Sequence, residues 1–299
     1  MKRTFKFFAV AIAAIMTIGS IASVSCDKEN GDDVSGSLSG PMGKADVALP
    51  KNANNPYDTI GALHNIMMEE CREKMQSYYL GHGTWSVTAS DSIATAILED
   101  HGFYVPGYEL NFITSLLADS ASNYLDYALD HGASNSEIMT IRNIVTNIKE
   151  MVFANEPYSQ IKGKIVSNEE LVLSNPSLSN NEKYVILSAT SVLRHSLYYW
   201  LNYDGFDIGM SPSAKEDNPT QNNNSGRGWR IALADLGGAL TGAVTGASAG
   251  ATAGTAIGNP VAGVAIGTVV GTIGGAVKAS CDQATKEANN NQVQQPQCE

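Results

Sequence analysis

Basic residues are scarce in this chain. Lysine and arginine total 19 against 30 aspartate and glutamate residues, which gives a formal net charge of -11. A nucleic-acid-binding protein needs a basic stripe that offsets the repulsion of the phosphate backbone, and this sequence has none. The 4 cysteines are too few and too scattered for a disulfide scaffold or a cysteine-based zinc site. Composition therefore argues against nucleic-acid partners and small disulfide-rich folds.

Catalytic signatures are missing as well. There is no phosphate loop, dinucleotide fingerprint, EF-hand loop or paired-histidine zinc motif. The segment 246–250 matches a nucleophile elbow, but that elbow needs a preceding strand, whereas Ser248 lies inside a long glycine-rich stretch. His64 and Cys71 could share a helix face and hold a metal, but no second ligand pair accompanies them, which favours a structural histidine. We expect no catalytic residue, no metal and no cofactor.

The first 26 residues predict an export signal. Lys2, Arg3 and Lys6 precede an uncharged apolar stretch, 7–21, and the small residues that follow lead to Cys26. This arrangement resembles the lipobox of bacterial lipoproteins, although Ser23 stands where that family usually has an aliphatic residue. The resemblance implies cleavage before Cys26 and attachment of lipid, palmitate included, to that cysteine. An ordinary secretory peptide is the alternative.

The residues that follow Cys26 bear on location. The acidic stretch 27–33 resembles the surface-export signal of Bacteroidota lipoproteins, which implies an outer-membrane lipoprotein of the cell envelope, exposed at the surface. In enterobacterial lipoproteins an aspartate directly after the cysteine favours the inner membrane instead. The resemblance leaves the final leaflet open.

The mature chain divides by composition into a tether, a helical domain and a C-terminal region. Residues 27–55, rich in Ser, Gly, Asp and Asn, predict a flexible tether. Residues 56–207 predict an all-α domain of five or six helices, because apolar residues recur at helical intervals and strand alternation is weak. The individual helices are predicted from Asp58 to about Leu80, Ser90 to His101, Tyr108 to His131, and after capping boxes at Ser134 and Ser179.

Polar segments follow the helical domain and end the chain. Residues 208–228 predict a polar linker, and residues 281–299 predict a disordered Asn/Gln-rich tail. Cys281 and Cys298 flank that tail and are a candidate disulfide in an exported protein, which would leave Cys71 as a buried free thiol. The spacing alone does not decide this pairing.

A glycine ladder occupies residues 229–280. No charged residue lies between Asp235 and Lys278, and a central Gly258-Asn259-Pro260 predicts a stop and restart, hence a hairpin of two helices. Spacing of four places the glycines in a row along each helix, where backbones can touch. The ladder consists of Gly238, Gly242, Gly246, Gly250, Gly254, Gly258, Gly263, Gly267, Gly271 and Gly275.

The two predicted helices are near the length that spanning requires. Residues 236–257 and 261–277 would measure about 33 Å and 26 Å, against a hydrocarbon core of about 30 Å. Neither is apolar enough to insert firmly alone, although packing of the glycine rows would help. Trp229 and Arg230 at one end suit an interfacial anchor. The ladder also makes a homo-oligomer through the zipper plausible.

The ladder resembles the glycine-zipper two-helix domain of outer-membrane lipoproteins and the GxxxG-rich segments of two-peptide bacteriocins. With the lipobox and the motifs around Asn55-Pro56-Tyr57-Asp58, Gly61 and His64-Asn65, the chain resembles a group of Bacteroidota lipoproteins of uncharacterised function. That likeness implies architecture and location, and no activity.

Three functions follow, in order of preference. The first is a non-enzymatic cell-envelope lipoprotein whose helical domain has an unknown ligand or partner and whose hairpin associates with the membrane. The second is a bacteriocin-like, pore-forming protein that inserts through the zipper. The third is an enzyme hidden in the helical domain, which would need a deep pocket at His64.

Overall fold

The described part of the chain is all-α, as the sequence predicts. A computed structural model describes residues 49–103, 121–202, 222–256 and 258–293. The helices are α1 Asp58–His82, α2 Val87–Asp100, α3 Ala121–Asp130, α4 Asn135–Phe153, α5 Tyr158–Ser174, α6 Asn180–Asn202, α7 Asn222–Ala256 and α8 Pro260–Val293. The signal, most of the tether, the start of the predicted 108–131 helix, residues 208–221 and Cys298 lie outside the described residues.

Local sequence signals set the helix starts. Ser134 accepts a hydrogen bond from the Glu137 amide at 3.1 Å while the Glu137 carboxylate accepts from the Ser134 amide at 2.6 Å, which is the reciprocal geometry of a capping box. Ser179 and Glu182 repeat the arrangement at 3.2 Å and 2.8 Å. Both predicted capping boxes are confirmed.

Helix α6 is the central element of the fold. Every residue from Val185 to Leu197 is buried. A helix that is covered all round must lie inside a bundle, and α1, α5 and α7 pack against α6. The polar run Arg194-His195-Ser196 therefore lies in the interior.

The glycine-rich hairpin and the helical domain share one hydrophobic core. Trp229, Leu236, Leu240, Ile273 and Val277 belong to the same buried cluster as the apolar residues of α1 to α6. The prediction of a separate hairpin at 229–280, joined by a linker, is corrected accordingly. We call residues 229–243 of α7 and 270–288 of α8 the base of the hairpin, and this base completes the core of the domain.

Both helices of the hairpin are longer than predicted. Helix α7 begins at Asn222, so 222–228 is helical and not linker, and α8 continues to Val293, so the disordered tail predicted for 281–299 is wrong for 281–293. The physical reason is burial. Cys281, Ala284 and Ala288 recur at helical spacing and pack into the core, which outweighs the polar composition of that segment.

Candidate functional site

The glycine rows of α7 and α8 face each other. A Cβ atom added at Gly242 would lie within 3.0 Å of the Gly271 backbone, and the converse holds for Gly271. The same close approach pairs Gly238 with Gly275, Gly246 with Gly267 and Gly250 with Gly263. Gly254 contacts Gly263, and Gly258 has φ +77° in the turn, a conformation that suits glycine. The rows are thus occupied within one chain.

A buried carboxylate fixes the base of this hairpin. Asp235 of α7 accepts hydrogen bonds from Ser196 of α6, from Ser280 of α8 and, at 3.3 Å, from the Trp200 indole. Its Oδ2 lies 3.6 Å from Nε2 of His64 on α1. These five residues, the Asp235 cluster, tie four helices together at one point.

Burial sets the protonation of this cluster. Desolvation raises the pKa of Asp235 to about 7, although its hydroxyl and indole donors oppose the shift. Desolvation lowers the pKa of His64 to about 4, with its hydrogen bond to Asn65 acting in the opposite direction. His64 is therefore neutral near pH 7, and its contact with Asp235 is not an ion pair. This fits the structural role that the sequence favours for His64.

A second buried network, the Arg194 cluster, holds the N-terminal segment onto the bundle. Arg194, which is 0% exposed, donates to Asp58 at 2.7 Å and to Glu169 at 3.2 Å. The Glu169 carboxylate also accepts from Asn52 at 2.6 Å and from Asn55 at 3.0 Å. The buried cation thus contacts both carboxylates, and the two asparagine amides donate to Glu169, so each interior charge has a partner.

A disulfide joins the hairpin to the first helix. Cys71 of α1 is bonded to Cys281 of α8 across a sequence separation of 210 residues. The candidate pair Cys281–Cys298 and the free thiol expected at Cys71 are thereby corrected. The reason is tertiary, because α8 continues past its predicted end and packs beside α1, which brings Cys281 to Cys71.

The expected interfacial anchor is also corrected. Trp229 is 3% exposed and lies in the core, so it is not available to a membrane interface. Arg230 makes a two-point ion pair with Glu287, at 2.6 Å and 2.7 Å, and thereby links α7 to α8. Both residues stabilise the base of the hairpin.

The far end of the hairpin is the exposed part. We call residues 249–256 and 258–264 the hairpin tip. On α7 every residue from 234 to 243 is buried, and on α8 every residue from 270 to 285 is buried. Most tip residues are exposed or half-buried. Val261 is 78% exposed. Water therefore meets a surface of alanine, glycine, threonine, valine and Asn259 that carries no charge.

Several threonine hydroxyls along the hairpin, those of the tip included, donate to carbonyl groups of their own helices. Thr252 donates to the Ser248 carbonyl at 3.2 Å, and Thr255 donates to the Ala251 carbonyl at 2.8 Å. Thr245 and Thr268 make the same bond, to Thr241 at 2.7 Å and Val264 at 2.8 Å. Such back-bonding lets a hydroxyl leave water without losing its partner.

The cavity that the described residues form beside the hairpin is small. The Asp235 and Arg194 clusters lie between helices, and the cavity beside Tyr124 and Leu240 measures about 10 Å³, room for about one water molecule. No group of three His, Cys, Asp or Glu residues within the described ranges could hold a metal ion. Ser248 of the elbow-like segment lies inside helix α7 without a strand before it.

Length and composition mark both hairpin helices as candidate membrane spans. The candidates are Gly226–Ala256 and Val261–Asn289, but 78% and 61% of their most apolar windows are buried in the protein. The core helix of a soluble protein can pass the same test, so this evidence is weak. No family model, curated protein or solved structure matches the chain.

Proposed function

We propose that the chain is a non-enzymatic lipoprotein of the cell envelope, held at the outer membrane by lipid on Cys26. Its helical body presents a surface to a ligand or partner, and its glycine-zipper hairpin associates with the membrane through the tip. The observation that carries the proposal is the exposed, uncharged tip with internally bonded hydroxyls.

Two attachments together give firmer binding than either alone. A single acyl chain binds a membrane only marginally, and stable anchoring takes a second signal. The tip supplies modest apolar area, of which the Val261 side chain is the largest exposed piece. Lipid and tip would therefore act as complementary weak anchors.

The bacteriocin-like alternative needs the whole hairpin to leave the body. That step would expose the core residues Leu240 and Ile273 and would separate Asp235 from its partners on α1 and α6. It would also require the Cys71–Cys281 bond to break or α1 to move with the hairpin. These costs favour the anchored lipoprotein over a protein that inserts its whole zipper into a target cell.

Membrane fractionation with an alkaline carbonate wash tests the proposal. The native chain should stay with membranes, and a processed Cys26→Ala chain that lacks both the lipid and residues 1–25 should wash free or bind weakly, because it keeps only the tip. Metabolic labelling with palmitate should mark the native chain and not the variant. Unlabelled native protein would contradict the lipid anchor, and leakage of dye from vesicles at low protein concentration would favour the pore-forming function.

A further inference from the structure

We propose that the hairpin tip docks into the same leaflet that carries the Cys26 lipid, reaching about half the bilayer without crossing it. This inference rests on the proposed function and specifies its membrane contact. It follows from where the tip leaves the body, where residues 55–57 of the N-terminal segment pack on the body, and how long the tip is.

The first step is the direction of the hairpin relative to α6. Gly228, near the start of α7, lies against the backbone of Trp200, near the end of α6. A Cβ atom added at Gly228 would be 3.0 Å from the Trp200 carbonyl oxygen. The Tyr184 hydroxyl, near the start of α6, donates to the Ala265 carbonyl of α8 at 3.2 Å. Helix α7 therefore runs antiparallel to α6, and the tip lies beyond the first turns of α6.

The second step places residues 55–57, which directly precede α1, at that same end, while Pro50 upstream of them accepts a hydrogen bond from the Arg194 guanidinium of α6. Asn55 donates to the Leu187 carbonyl at 3.0 Å, and the Tyr57 ring meets the Tyr184 ring at 4.4 Å. Tyr184 thus contacts both the segment that comes from Cys26 and the helix that leads into the tip. Residues between Cys26 and Leu49 span at most about 75 Å, so lipid and tip can reach one membrane.

The third step is depth. From Ala249 to Ala256 the helix rises about 12 Å, whereas the hydrocarbon core is about 30 Å thick. The remaining apolar length belongs to the base, which is fixed by the Asp235 cluster and by the Cys71–Cys281 disulfide. A hairpin held in this way reaches into one leaflet only.

The chemistry of the tip favours hydrocarbon as the occupant. The tip has no charged side chain, and Thr252 and Thr255 donate their hydroxyls to their own helix, so the tip has little polar surface to desolvate on entering hydrocarbon. Its backbone is helical on both sides of the turn, so few amide groups need water. The Asn259 side chain at the turn accepts from the Ala262 amide at 3.1 Å.

A fluorophore at the tip tests the inference. The lipidated full-length chain carrying Cys298→Ser and Val261→Cys is labelled with an environment-sensitive dye and reconstituted into phosphatidylethanolamine–phosphatidylglycerol vesicles. Leu80→Cys is the matched control, because Leu80 is 76% exposed against 78% for Val261. Leu80 lies about 35 Å further along α1 from Tyr57, away from the tip.

We expect nitroxide lipids to quench the dye at position 261 at least threefold more than the dye at position 80, and iodide in the water to show the reverse. Equal quenching at both positions, in protein that floats with the vesicles, would overturn the docking while leaving the lipid anchor intact. Labelling of position 261 by an impermeant reagent trapped inside the vesicles would overturn the half-depth insertion. Protein that fails to float with vesicles would refute the lipid anchor and the docking together.

Discussion

Adding one methyl group to the glycine interface at the hairpin base should destabilise the whole protein. In Gly242→Ala, the new Cβ would lie within 3.0 Å of the Gly271 carbonyl group. The obstacle is backbone, so no side-chain rotation relieves it, and α7 and α8 must separate. Overpacking of this kind typically costs about 1–3 kcal/mol. The base also contains Asp235, Ser280 and Cys281, so separating α7 from α8 would also disturb the contacts that these residues make with the core.

The same substitution at Gly163 is the matched control. Gly163 lies in helix α5, and a Cβ there would meet nothing within 4 Å. Alanine is favoured over glycine in a helix by about 1 kcal/mol, so Gly163→Ala should stabilise the protein slightly. The two variants share the gain in helix propensity, and their difference isolates the contact between the glycine rows.

Urea denaturation followed by circular dichroism at 222 nm gives the comparison. We expect Gly242→Ala to be less stable than Gly163→Ala by about 2 kcal/mol, which corresponds to about 4–8 °C in Tm for a domain of this size. Equal stability of the two variants would refute the packing of the rows within one chain. The reasoning would also fail if Gly242→Ala changed only the oligomeric state measured by light scattering, since the rows would then face a second copy.

Three further substitutions test the interior of the base and the body. Burial raises the pKa of Asp235 to about 7, so the native chain loses stability as pH rises from about 4 to about 7. Asp235→Asn should make this loss smaller in urea titrations at pH 5 and 8, and the remaining loss includes that of Asp282, whose pKa burial raises to about 6. Arg194→Met should lower the free energy of unfolding by about 3–5 kcal/mol, because it leaves the Glu169 carboxylate buried without its cation. The double variant with Glu169→Leu should recover part of this loss in the same denaturation assay. Cys71→Ser should lower the free energy of unfolding by about 2–5 kcal/mol, because the unfolded chain loses a crosslink that closes a long loop. Mass tagging should detect one more free thiol in the variant than in the native chain, and no increase would argue against this disulfide.

Periodicity and capping chemistry are local, and they determined much of the fold. The apolar spacing along 58–80 and the serine–glutamate boxes at Ser134 and Ser179 predict helices that the structure contains, because these signals act within a few residues. The glycine spacing predicts a two-helix hairpin with a break at Gly258, for the same reason. The class of the fold was thus readable from the sequence.

The position of the hairpin was decided by tertiary packing. The apolar faces of 229–243 and 270–288 suit a bilayer and a protein core equally well, since both environments exclude water. Only the structure shows that α1, α3 and α6 cover them, which puts Trp229 inside and leaves Val261 outside.

The buried polar residues show the same division. The available signals were Arg194, the one Lys, Arg, Asp or Glu residue between positions 184 and 202 of α6, and Asp235 at the edge of the uncharged ladder. A charge in a helix can as easily face water, and its partners Glu169, Ser280 and His64 are distant in sequence. The sequence by itself determined where most of the described helices form and which faces are apolar, but not where α7 begins or where α8 ends. The tertiary structure decided which apolar face is core and which is exposed, because that choice depends on contacts between residues far apart along the chain.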